Sequence, residues 1–181
     1  ENGMILKKDD TEIIAYLQTN NETDFIFLPD ELETIRPYAF SGNTYLEMIV
    51  IPMNVKMIGN YAFSGCSKLK YVYYMGTEQP SANDNIFEGL SGLTLKVKNG
   101  YSFTIGSLQS IALNKVESNQ VSYFIDSETG LMVFYGNGEY EAYVNSDKYS
   151  WYSSRSKIKH IIFEKGVTKI DQHSFYNFKS N

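Results

Sequence analysis

Residues 25–69 state one pattern twice, at a constant offset of 23. The stretch Leu28–Gly42 returns as Ile51–Gly65, with Pro29 at Pro52, Ile35 at Ile58, Phe40 at Phe63 and, just beyond, Leu46 at Leu69. A fixed period of this length means short supersecondary units that cannot bury their apolar sides alone and therefore stack as coils of a solenoid. A stack of coils has no closed cleft by default. Its natural asset is a long regular surface, which suits binding.

Each part of the repeat has a physical task. The segment Leu46–Ile51 alternates, so Ile49 and Ile51 are expected to face the interior and Met48 and Val50 the outside of a parallel strand ladder. Pro29 and Pro52 end the strands, since proline cannot donate to a ladder. Ile35, Ile58 and Ile170 re-enter the core on the far side, and Ala39 and Ala62 are small where chain packs on chain. Phe40, Phe63, Phe87 and Phe175 are expected to form a stacked interior file. Burying each ring contributes about 1.5–3 kcal/mol, and a favourable ring pair adds ~0.5–1.5 kcal/mol. The third coil slips by one: Phe87, Gly89 and Leu93 follow Phe63, Gly65 and Leu69 at an offset of 24, and its strand, 93–97, is shorter by one. A last coil sets Ile161, Val167, Ile170 and Phe175 against Ile49, Val55, Ile58 and Phe63 at a common offset of 112.

Between the coils the period lapses over 98–118. Residues 121–136 then read as a β-hairpin, Val121–Ile125 and Leu131–Tyr135 around an Asp126–Gly130 turn. A tyrosine-rich polar stretch with Trp151 follows to Ser156. A second hairpin opens the chain, with Met4–Leu6 and Ile13–Tyr16 flanking Lys7–Asp10. These hairpins read as devices that cap or restart a repeat array. The expected division is 1–24 as a hairpin lead-in, 25–97 as a first repeat block, 98–157 as an irregular segment with a hairpin insert, and 158–181 as a second block that breaks off before its next strand. The expected fold is mainly β with short helical turns, an open leucine-rich-repeat type of solenoid interrupted by a β-hairpin insert. The broken last coil reads as a segment of a longer repeat protein.

Composition narrows the function. At 43% hydrophobic and 20% charged residues the chain can bury a core. A net charge of −5, with Lys and Arg scattered, argues against a nucleic-acid backbone or an anionic membrane as partner. No run approaches the ~18 apolar residues that a membrane-spanning helix needs, and a chain opening Glu1–Met4 is not expected to carry a signal peptide. The one cysteine, Cys66, has no intrachain disulfide partner and no paired metal spacing.

The surface singled out for binding is the outward side of the strand ladder, with Phe25, Phe27, Met48, Val50, Tyr71, Tyr73 and Lys96, and later His160 and Ile162. An exposed apolar row of this kind marks a protein contact. The competing reading is that the inserts fold over it or that neighbouring rows pack on one another. Other candidates carry less. His160 and His173 lie on different parts of a coil and do not form a metal pair. Cys66 reads as a small apolar packer without a base at its height. Asp9, Asp10 and Glu12, and Asp126 with Glu128, lack the full spacing of a calcium loop and read as solvated turns. Asn21-Glu22-Thr23 is a glycosylation sequon, relevant only on a eukaryotic export route. No catalytic residues, cofactor site or metal site are expected.

The run Ile58–Leu69, with Gly59, Ala62-Phe63, Ser64-Gly65-Cys66 and Leu69 at fixed offsets, resembles the BspA-like type of leucine-rich repeat, which shares the period seen here. The likeness covers 25–97 and 158–178. Residues 130–138, 151–154, 158–163 and 166–170 look like the lead-in that such proteins place before a fresh block, and Tyr73–Thr77 with Pro80 looks like a block-ending coil. Departures are Asn43, Leu90 and Phe178 at the position of Cys66, and a glycine after the isoleucine only at Gly59. The resemblance implies large surface or secreted proteins of bacteria and protists that adhere to host matrix proteins, cells or other microbes. It supplies no catalytic residues. The reading that follows is a non-enzymatic protein-binding module of a cell-surface or secreted adhesin, with a protein partner, no nucleic acid and no membrane insertion. The alternative is an intracellular scaffold in a cytoskeletal assembly.

Overall fold

Met4–Leu6 (β1) and Glu12–Tyr16 (β2) pair as the antiparallel hairpin expected at the start of the chain. The computed structural model describes residues 3–17, 23–116, 120–140, 152–170 and 174–175. The chain then winds through successive coils, laying strands alternately on two sheets: Phe25–Phe27 (β3), Thr34–Ile35 (β4), Met48–Ile51 (β5), Met57–Ile58 (β6), Tyr71–Tyr74 (β7), Ser81–Ala82 (β8) and Thr94–Lys98 (β9). Thr104–Ile105 (β10) and Leu108–Leu113 (β11) close the series as a second hairpin, with β11 beside β9. Glu1–Ala112 is one compact unit and Leu113–Asn181 another. The split falls inside the segment that looks irregular in sequence, and most of β10 and β11 belongs with the first unit.

In the first unit β3, β5, β7 and β9 pair in parallel, Phe25↔Met48, Met48↔Tyr71 and Tyr71↔Thr94, a step of 23 each time. On the far side β2, β4, β6 and β8 also run parallel, with Ile13, Ile35, Ile58 and Ala82 in line. The step from β6 to β8 is 24. The extra residue therefore enters between Tyr74 and Ser81 and is given back before Thr94, which is the slip by one legible in the sequence. The Tyr74 hydroxyl, whose one proton lies between the carbonyls of Val55 (2.9 Å) and Glu78 (2.7 Å), pins that longer loop.

The third side of each coil is a ladder of turns. Ala39, Ser41 and Asn43 donate their N–H within their own turn, to Arg36, Tyr38 and Phe40. Tyr38, Phe40 and Gly42 donate instead to the next coil, to Asn60 (3.1 Å), Ala62 (2.8 Å) and Ser64 (2.7 Å). On this side Tyr38 and Tyr61 take left-handed φ of 62° and 58°, a conformation that side chains with a Cβ seldom adopt.

Ile26, Ile35, Ile49, Ile58, Val72 and Leu95 fill the centre of the unit with Leu28, Leu46 and Leu69. The aromatic file runs through it as Tyr16, Phe40, Phe63 and Phe87, with centroids 5.5, 5.2 and 5.5 Å apart and near-parallel rings. Two details of the expected file change. Tyr16 of the opening hairpin starts it, and Phe175 is not part of it. Phe175 sits in the second unit, edge-on to Phe134 and Phe163 at 6.1 Å each, because that unit builds a core of its own.

In the second unit Lys115–Val116 (β12), Val121–Asp126 (β13) and Leu131–Gly136 (β14) are antiparallel neighbours. Gly138–Tyr140 (β15) follows, and a 3-10 turn at Tyr152–Lys157 precedes His160–Phe163 (β16) and Val167–Ile170 (β17). β14 pairs in parallel with β16, and β15 with β17. The hairpin expected as an insert thus also supplies the first rung of a new ladder. Residues 141–151, with Trp151 and most of the tyrosine-rich stretch, lie outside the described residues, as do Phe178 and His173.

Phe63 is flanked by rings on both sides and fully buried. Phe63→Ala is expected to cost about 3–5 kcal/mol, read as a lower urea midpoint at unchanged slope, with Phe63→Leu costing less because it keeps most of the volume.

Candidate functional site

Parallel pairing at a constant step brings the proposed contact residues into two rows in the first unit. Phe25, Met48 and Tyr71 share one row, and Phe27, Val50, Tyr73 and Lys96 the next. His160 and Ile162 stand in the second unit, on β16, beside Leu131 and Val133. The rows do lie off the principal core, which takes Ile49, Ile51 and Val72 and none of Met48, Val50 and Tyr73.

The expectation that this face is exposed is corrected. Met48 is 7%, Val50 0%, Tyr73 0%, Lys96 5% and Ile162 7% accessible. Phe25, Phe27, Tyr71 and His160 are half-buried. Part of the reason lies within the rows. Adjacent rungs stand only ~4.8 Å apart, so Val50 is flanked by Phe27 and Tyr73. The Lys96 ammonium lies 4.7 Å from the Tyr71 ring centre and 5.9 Å from that of Tyr73. A cation over these faces is held by the ring quadrupole, and its aliphatic stem covers them.

The more exposed apolar groups lie elsewhere. Tyr38 is 60% accessible and stacks on Tyr61 at 5.2 Å and 16°. Met57, Met53 and Ile14 are 47, 46 and 43% accessible. The signal for the tyrosine pair is present in the sequence, since Tyr38 and Tyr61 occupy one position of the repeat. It reads as a repeat letter rather than a surface group because periodicity alone does not say which columns face water.

Charges follow the same step. Glu33 meets Lys56 at 3.7 Å and Glu47 meets Lys70 at 3.4 Å, each lysine one coil on from its glutamate. Glu12 holds Arg36 at 2.6 Å and Lys7 at 2.9 Å, and the Lys7 hydrogen bond followed by that from Arg36 pulls its carboxyl below the usual range. The Asp9/Glu12 cluster is thus spent on ion pairs and on the Asp9–Thr11 turn. Asp126 accepts the Glu128 N–H at 3.0 Å within its turn. Among the described residues no group of three or more His, Cys, Asp and Glu is placed to hold a metal ion, and no helix is long and apolar enough to cross a membrane. Asn21 and Glu22 of the sequon lie outside the described residues.

Cys66 is buried and its thiol contacts the Phe40 carbonyl at 3.2 Å. Burial pushes its pKa up to about 11, and burial likewise pushes the Tyr74 hydroxyl to about 12. Both groups are protonated at neutral pH, so neither is a ready nucleophile. Maleimide labelling of Cys66 at pH 8 is expected to be slow in the folded chain and fast in urea. Because the raised thiol keeps its proton after the unfolded one, with an ordinary value of 9.0, has lost it, the contribution of Cys66 to stability is complete below pH 9 and is lost toward pH 11. Cys66→Ala is expected to remove part of that alkaline decline in urea midpoint. For the strained pair, Tyr38→Gly is expected to be more stable than Tyr38→Ala by about 1 kcal/mol, since both lose the stack and only glycine relieves the left-handed backbone.

A family model described as the BspA type leucine-rich repeat region matches residues 4–94 and 99–181, in 6 copies. Among solved structures, the pneumococcal vaccine antigen PcpA is similar at 21% identity and a TM-score of 0.43, over 60% of this chain. The match spans 34% of that chain, about a third of its length. No curated protein matched the sequence.

Proposed function

The chain belongs to the BspA-type leucine-rich repeat family, and on that premise we propose that it is a non-enzymatic protein-binding module of a cell-surface or secreted adhesin. The observation that carries this reading is the ladder itself. Each coil adds one more set of side chains to the same rows at the same spacing. Such a surface grows in length without closing a cleft, which suits a protein or matrix partner with many weak contacts. Three described groups with acid–base or nucleophilic chemistry are occupied otherwise: Cys66 and Tyr74 are buried and protonated, and Glu12 is engaged by two cations.

On the strand face of the first unit Phe25, Phe27 and Tyr71 are the residues proposed to touch a partner, and on the second unit's own face His160, because they keep accessible surface. Met48, Val50 and Tyr73, buried within the same rows, are proposed to stiffen the first unit's face, and Ile162 the second unit's. Rigid aromatic rings at a partly dry surface contribute most to binding when a partner completes their burial.

Surface proteolysis of intact cells of the source organism, followed by peptide mass spectrometry, tests the location. Peptides shed from living cells are expected; a chain protected until lysis overturns the adhesin reading and points to an internal assembly. Binding of the purified chain to immobilised matrix proteins tests the face. Phe25→Ser with Tyr71→Ser is expected to weaken binding about tenfold or more, equivalent to roughly 1.4 kcal/mol, while the first unit still unfolds cooperatively at a urea midpoint lowered by the loss of two half-buried rings and of the Lys96 contact. Unaltered affinity rules the strand face out.

A further inference from the structure

Strands of the main ladders are apolar on both faces: Phe25–Phe27, Met48–Ile51, Tyr71–Tyr74 and the start of β14, Leu131–Phe134. Strands buried between two layers read as such unbroken runs. Far-side strands are shorter and mixed, as at Thr34–Ile35, Met57–Ile58 and Ser81–Ala82. Met4–Leu6 has the first composition and the second address. It lies at the margin of the far-side sheet, antiparallel to β2, with its register broken between Ile5 and Leu6. Ile5 is left 40% accessible.

The second unit shows the other address. Gly3 and Gly130 share a left-handed φ, 81° and 80°. Adding 127 carries Met4–Leu6 onto Leu131–Val133 and Glu12-Ile13 onto Glu139-Tyr140. The latter two segments each pair in parallel with the far-side strand that holds Ile35 or Ile170. Adding 135 carries Phe25–Phe27 onto His160–Ile162 and Phe40 onto Phe175. In the second unit Leu131, Met132 and Val133 pair in parallel with His160, Ile161 and Ile162. The counterpart in the first unit is Met4 beside Phe25, Ile5 beside Ile26 and Leu6 beside Phe27.

That place is an edge. Among the described residues β3 stands last in its sheet. The Met48 N–H bonds the Asp24 carbonyl (2.9 Å) and the Leu28 N–H bonds the Val50 carbonyl (3.1 Å). Backbone groups alternate sides along a strand, so the Phe27 amide faces away from β5. We propose that the outer edge of β3 is a strand-acceptor whose occupant is Met4–Leu6 in parallel register, in exchange with the antiparallel seat on β2. The exchange gives up the contacts that Met4 and Leu6 make with the core. It turns Ile5 inward against Ile26 and sets Met4 and Leu6 beside Phe25 and Phe27, extending the two outer rows by one rung.

Ile5→Asp separates the seats, because position 5 faces water in one and the core in the other, where an unpaired charge is excluded. Hydrogen exchange on the full chain is expected to show the Phe27 amide protected, and Ile5→Asp to speed its exchange tenfold or more. In parallel, Ile5→Cys with Ile26→Cys is expected to form a bridge on mild oxidation, as does Ile5→Cys with Ala15→Cys, which reports the antiparallel seat; Cys66 is buried and protonated and stays out. Phe27 exchange indifferent to Ile5→Asp, or a bridge only to residue 15, overturns the proposal.

Discussion

Backbone hydrogen bonding from one coil to the next, at a nearly constant sequence step, is the constraint on which the rest of the structure depends. The bonds run along all three sides of the first unit: the ladder through Phe25, Met48, Tyr71 and Thr94, the far-side line through Ile13, Ile35, Ile58 and Ala82, and the turn bonds from Tyr38, Phe40 and Gly42 to Asn60, Ala62 and Ser64. Buried backbone groups must be paired. A chain that pairs them along every side with its neighbouring coils has its rise per coil fixed by the ~4.8 Å distance between strands. Tyr38 and Tyr61, one repeat apart, take the same left-handed backbone on that turn side.

A fixed rise turns sequence columns into physical columns. Whatever occupies a position meets its own counterpart a few ångströms away. Phenylalanine therefore stacks on phenylalanine, glutamate faces lysine, and Lys68 sits 5.4 Å from the Tyr45 ring centre. Columns also tolerate exchange when the new residue answers the same need. Asn43 takes the place of Cys66 because its side-chain oxygen accepts the N–H of Tyr45 and Leu46, both at 3.0 Å, and closes the coil corner. At Cys66 the corner is held instead by burial of the thiol against the Phe40 carbonyl.

The inward columns are legible in the sequence because they are forced. Ile49 and Ile51, Ile35 and Ile58, Ala39 and Ala62 sit where period and alternation place them, and the slip of the third coil appears as a step of 24 on the far side. The hairpin at 121–136 is readable from its turn chemistry. Phe175 is misplaced by periodicity because an offset carries no information on whether two coils belong to one stack. The outward face is misjudged for a related reason. Alternation separates two sides of a strand, yet the second side of Met48–Ile51 is as buried as the first. A parallel strand shows the same unbroken apolar run whether its outer face meets a partner or its own chain. Lys96 reads as one more outward member of that row, whereas it is buried with its ammonium over two tyrosine rings.

Inward columns are answerable to packing, and for that reason they say little about a partner. The columns set apart from the core are the outer ones: Glu33 and Lys56, Glu47 and Lys70, Tyr38 and Tyr61. Exposed ion pairs of this type contribute little to stability. The tyrosine stack goes further, since it holds a large ring at a backbone conformation that favours glycine. In a fold that satisfies its backbone by repetition, such columns are shaped by their own counterparts one coil away and not by the packing of the core.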